Sequence, residues 1–134
     1  MVLKEKGRYY ELPIEGNKIE KIIYDGLLSI VFNDADESSL NLHGEFEIKQ
    51  YNQAITLLPK DKEALALFYD LFNSEVQIKE PKADKHGRLF LTFDNGFELA
   101  VEDGPYENWH FTKIDKQNPK NSLHVHGGVG KKIF

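Results

Sequence analysis

Pro59-Lys60-Asp61-Lys62-Glu63-Ala64-Leu65-Ala66-Leu67-Phe68-Tyr69-Asp70-Leu71-Phe72-Asn73 is the one stretch of this 134-residue chain with a helical period. Leu65, Phe68 and Phe72 fall on one stripe, and Ala64, Leu67 and Leu71 adjoin it. Asp61 stands where an N-cap belongs, and Glu63 in the first turn suits the positive end of the helix dipole. A stripe this wide predicts a helix packed across a sheet face. The segment is too short and too acidic at its start to lie on a membrane.

On either side of this helix the segments with a readable pattern are β-structure. Ile19–Tyr24 is apolar and β-branched, Asp25-Gly26 is a hairpin signal, and Leu27–Phe32 returns with Leu28, Ile30 and Phe32 on one face. After the polar turn Asn33–Glu37, alternation runs through Ser38–His43 and continues past Gly44 in Phe46 and Ile48. C-terminal to the helix, Glu75–Ile78 starts a second β-run, and Lys79–Gly87 is charged, holds Pro81 and reads as a loop. Arg88–Phe93, the turn Asp94-Asn95-Gly96, and Phe97–Glu102 form another hairpin, with Phe97, Leu99 and Val101 on one face. Asn108–Ile114 and Ser122–His126 are the last strands. The halves echo each other without a residue-level period, which argues against a solenoid.

The predicted fold is therefore α+β. It consists of one curved antiparallel sheet of meander hairpins, about seven to nine strands, with one main helix on a face. Length, a hydrophobic share of 40% and a charged share of 29% fit a single domain over residues 1–134 and exclude collagen-like and disordered classes. With no cysteine there is no disulfide framework, thiolate nucleophile or Cys-based zinc site. No stretch has the length of a signal-peptide core or a membrane span, so the expected location is cytoplasmic.

Lys and Arg number 17 against 22 Asp and Glu, a formal net charge of -5, which suits neither nucleic acid nor an anionic membrane as direct partner. The charge is unevenly placed. Residues 24–48 hold Asp25, Asp34, Asp36, Glu37, Glu45 and Glu47 with no Lys or Arg, and residues 89–112 hold Asp94, Glu98, Glu102, Asp103 and Glu107, again with none. Such stretches are ordinarily the solvated faces of hairpins; the sharper reading is an acidic surface for a basic partner.

Other constellations carry less. His124 and His126 project to one face of a strand and could supply two imidazoles to a zinc ion, with His110 or a carboxylate as third ligand. Nothing fixes that third ligand, and the ordinary reading is polar surface histidines, with no cofactor. Gly127-Gly128-Val129-Gly130 lacks the lysine and hydroxyl of a phosphate loop and reads as a tight turn or close backbone approach. Asp34-Ala35-Asp36-Glu37 lacks the central Gly and terminal Glu of a calcium loop. No serine sits in a nucleophile elbow. Trp109, beside Tyr106 and two acids, is either core or an interface anchor.

The run Leu89–Val101, then Tyr106-Glu107-Asn108-Trp109, then Gly127-Gly128 resembles a family of small bacterial α+β proteins, several of which sit beside secreted polymorphic toxins and are regarded as their immunity proteins. Arg8–Gly16 and Tyr24-Asp25-Gly26-Leu27-Leu28 are similar to immunity proteins of wall-associated, contact-delivered toxins of Gram-positive bacteria. The resemblance implies stoichiometric binding of a cognate toxin's C-terminal domain, often a nuclease, whose basic groove an acidic antidote would suit. The contact residues expected on charge placement are Asp34, Asp36 and Glu37 in one acidic turn, and Asp103, Tyr106 and Glu107 in the other. The competing expectation is a small metal-dependent hydrolase using His110, His124 and His126, and a third is a ligand-binding or structural domain.

Overall fold

The computed structural model describes residues 3–102, 108–129 and 132–133. In chain order these form β1 (Lys4–Lys6), β2 (Tyr9–Glu11), β3 (Ile19–Tyr24), β4 (Leu28–Phe32), β5 (Ser39–Leu42), β6 (Phe46–Gln50), β7 (Gln53–Leu57), α1 (Lys62–Asn73) and β8 (Lys82–Asp84). There follow β9 (Leu89–Thr92), β10 (Glu98–Val101), β11 (Trp109–Lys113), a 3-10 turn at Pro119–Asn121, β12 (Leu123–Val129) and β13 (Lys132–Ile133). No helix among the described residues is long and apolar enough to cross a membrane.

The fold is α+β and antiparallel, but the single curved sheet of seven to nine strands is not what forms. There are two sheets: seven strands in the order β1-β2-β8-β9-β10-β6-β7, and six in the order β13-β12-β11-β5-β4-β3. The physical reason lies at Gly44. Alternation carries across it, as in a meander, yet β5 and β6 belong to different sheets, and Gly44 sits where the chain crosses between them. The chain crosses back between β10 and β11, and the two crossings are fastened together. The N–H groups of His43 and Gly44 donate to the Asn108 carbonyl at 2.8 and 3.2 Å, and Asn108 Nδ2 donates to the Glu102 carbonyl at 2.8 Å. A Cβ on Gly44 would lie 2.3 Å from Asn108 Oδ1, so a side chain there would displace the Asn108 amide that holds Glu102.

The inner faces of both sheets feed one core. Leu28, Ile30, Phe32, Leu40, Leu42, Trp109 and Phe111 come from the six-stranded sheet, and Phe46, Ile48, Leu89, Leu91, Leu99 and Val101 from the other. Full burial of each such side chain contributes about 1.5–3 kcal/mol. The helix buries Ala64, Phe68 and Leu71, one position round from the expected stripe; Leu65, Leu67 and Phe72 are only partly buried. Phe68 meets Phe46 at 5.8 Å between ring centroids. Asp61 holds the N-cap position in extended backbone, but its carboxylate accepts from the Leu58 N–H at 2.9 Å rather than capping the first turn.

Two expected segments differ in detail. The Lys79–Gly87 loop contains β8, whose Ala83 and Asp84 are buried. Glu75–Ile78 is no strand; it makes the bridges Lys18↔Gln77 and Ile78↔Phe93, lacing the rim of one sheet to the other. The two Gly turns hold: Gly26 and Gly96 each take φ +93°, a left-handed conformation that favours glycine.

Candidate functional site

The turn between β4 and β5 carries Asp34, Asp36 and Glu37, and it is not a bare acidic loop. Asp34 accepts from the Ser38 N–H (2.8 Å), the Ser38 hydroxyl (2.5 Å) and Lys113 Nζ (2.8 Å). The same ammonium reaches Asp36 at 3.0 Å, and Glu37 lies 3.6 Å from Lys116. The side chains of Asp34 and Lys113 are only 9% and 15% exposed. Burial pushes the Asp34 carboxyl up, but its hydrogen bonds from Lys113 and Ser38 outweigh this and hold it below the usual carboxylate range. Burial likewise pushes Lys113 down, and its bonds to Asp34 and Asp36 leave it raised. Lys113 is one residue past the lysine-free stretch 89–112, so counting charge along the chain does not see it. Asp34 and Asp36 therefore set the turn, and Glu37 is the exposed carboxylate of the three.

Away from this turn, folding brings the two acid-rich stretches together. β5 pairs with β11, and β6 pairs with β10, so residues from 24–48 lie beside residues from 89–112 in both sheets. On the second pair Glu47 is opposite Ala100 and Glu98 opposite Lys49. Glu45 and Glu102 flank the same end of that pair, and Glu45, Glu47, Glu98 and Glu102 are all exposed. The guanidinium of Arg88 is 4.0 Å from Glu102 but is committed to Asp84, with Nε 2.6 Å from that buried carboxylate. Asp103, Tyr106 and Glu107 lie outside the described residues. Weighing turns over strands missed Glu45, Glu47 and Glu102; the signal that could have found them is the same absence of Lys and Arg around them.

The histidines cluster as the strand periodicity requires. His110 on β11 is directly opposite His126 on β12, and their rings stack at 3.9 Å and 15°. His124 lies 6.0 Å from His110, and Thr112 Oγ1 is 3.0 Å from His110 Nε2. Across the sheet His110 is opposite Asn41, and Asn41 is opposite Ser29, whose hydroxyl donates to Asn41 at 2.5 Å. This polar row occupies the face away from Trp109, Phe111, Leu123 and Val125, which are buried. Among the described residues no three His, Asp or Glu side chains are placed to hold a metal ion.

Trp109 is core: it is fully buried, and its indole N–H donates to the Gly87 carbonyl at 2.8 Å. Gly127 lies opposite it on β12, where a Cβ would be 2.3 Å from the indole ring. The glycine thus serves a close approach of backbone to ring, not a phosphate.

The profile of a family of unknown function (DUF6188) matches residues 10–118. No curated protein and no solved structure matches the chain.

Proposed function

We propose that this chain, which belongs to the DUF6188 family of unknown function, is an immunity protein that binds a basic toxin domain in the cytoplasm and occludes its active site. One observation carries the reading. The two stretches without Lys or Arg, distant in sequence, become neighbouring strands and present Glu45, Glu47 and Glu102 at one end of the β6–β10 pair. The carboxylates there suit the basic groove of a nuclease-type toxin better than the Asp34 turn does, because that turn is already compensated by Lys113. Asp103, Tyr106 and Glu107, the other contact residues expected on charge placement, follow Glu102 in the sequence and lie outside the described residues.

Opposed charge across an interface acts mainly on the association rate. The reading expects a secreted toxin gene beside this one, and the test is stopped-flow or surface-plasmon binding of the full chain to the C-terminal domain of that neighbour's product. Association should slow about tenfold or more as ionic strength rises from about 0.05 to 0.5 M, since the screening length falls below 5 Å. The triple change Glu45→Lys, Glu47→Lys, Glu102→Lys should slow it by about the same factor at low salt. Asp34→Asn should lower stability and leave the rate alone. Binding that ignores both salt and the triple change contradicts the proposed surface.

A further inference from the structure

The two ends of the seven-stranded sheet are built differently. At one edge β1 reads Lys4-Glu5-Lys6, all exposed, and charged edge strands resist pairing with another chain. At the other edge β7 reads Gln53-Ala54-Ile55-Thr56-Leu57, of which Gln53 to Thr56 are exposed. From Gln50 to Pro59 there is no charged residue in a chain that is 29% charged, and β7 contains neither proline nor glycine. Ile55 is 51% exposed, and Tyr51, just before the strand, is 89% exposed. Ile55 stands opposite the buried Ile48 and lines a shallow cleft with Leu67 and Phe97.

We propose that β7 pairs antiparallel with β7 of a second copy of this chain, across a two-fold axis at Ile55. The sequence is self-complementary in that register. Ile55 meets its own counterpart, Ala54 meets Thr56, and Gln53 meets Leu57, so the half-exposed isoleucines cover one another beside Ile48. No like charges meet from Tyr51 to Pro59, which favours a second copy over a basic partner that needs carboxylates. The sheet then runs on through both copies, and the edge backbone groups gain partners. This assembly leaves the Glu45–Glu102 end of the β6–β10 pair to the toxin and does not depend on that reading.

Because the chain has no cysteine, a single introduced thiol reports the register. Directly opposed antiparallel residues have Cα atoms about 4.5–5.5 Å apart, within the range a disulfide spans. Ile55→Cys should therefore give a covalent dimer of twice 15.5 kDa under mild oxidation. Gln53→Cys, offset from its own copy by four residues or about 13 Å, should link about tenfold more slowly or not at all. In sedimentation velocity the unmodified chain should dimerise with concentration, Ile55→Lys should be monomeric, and an equal mixture of Ile55→Lys with Ile55→Glu should recover the dimer. Circular dichroism on each variant confirms the fold. A monomer at every concentration, a dimer that survives Ile55→Lys, or equal linkage at Gln53→Cys and Ile55→Cys would each overturn the proposal.

Discussion

Trp109 and Gly127 form one unit, because the ring occupies the space a side chain at 127 would need. Gly127→Ala should destabilise by about 1–3 kcal/mol through overpacking, and Trp109→Phe by about 1–3 kcal/mol through the unpaired Gly87 carbonyl and lost ring. In the double variant the costs should be less than additive, since Phe lacks the indole atoms that approach the added methyl. Denaturant midpoints of the four proteins measure this; strict additivity would show that the ring does not set the choice of glycine. At the Asp34–Lys113 pair the sign with pH is fixed by direction. A depressed Asp34 gives stability that is present above the ordinary carboxylate value of about 4 and lost as pH falls through its lower folded value. A raised Lys113 gives stability present below about 10.4 and lost as pH rises through its higher folded value. Asp34→Asn should therefore cost about 1–3 kcal/mol at neutral pH and flatten the acid limb of a stability–pH profile; an unchanged limb would contradict the pairing. None of this is legible from the sequence, because Asp34 and Lys113 are 79 residues apart and only the strand order joins them.

The helix shows what periodicity can and cannot decide. Residues 62–73 are helical as expected, but the spacing alone admits two stripes, 64/68/71 and 65/68/72, both apolar. Packing against Phe46 and the neighbouring β3 selects the first. Phe68→Ala should then cost about 3–5 kcal/mol, whereas Phe72→Ala, only partly buried, should cost about 1–2 kcal/mol. Equal losses in thermal or chemical unfolding would restore the other stripe. The hairpins were readable because Asp25-Gly26 and Asn95-Gly96 carry turn chemistry in the residues themselves. β1 and β8 were not, since three charged or mixed residues show no alternation, and β8 is held by its neighbours β2 and β9. β7 escaped because Gln53-Ala54-Ile55-Thr56-Leu57 breaks alternation at the adjacent apolar pair Ala54-Ile55, and four of its five residues face solvent.

At the scale of the molecule, the decisive event is the hand-over at Gly44 and Asn108. It divides one apparent meander into two sheets and sets the acid-rich stretches side by side. Local sequence announces both stretches but not their meeting, which depends on pairs from 49 residues apart (Lys49 and Glu98) to 73 apart (Ser39 and Thr112). Net charge is likewise a sum over different surroundings: Asp34 and Asp36 share Lys113, while Glu45, Glu47 and Glu102 stay exposed. That exposed end is the surface proposed for the toxin. The account expects a secreted toxin gene beside this one, and the most direct measurement is growth of cells expressing the C-terminal domain of that neighbour's product, with and without this chain. The account predicts that the unaltered chain restores growth, that Asp34→Asn restores it wherever the protein is folded, and that Glu45→Lys, Glu47→Lys, Glu102→Lys together abolish protection without unfolding the chain. Death of cells carrying the unaltered chain, or full protection by the triple variant, would contradict it.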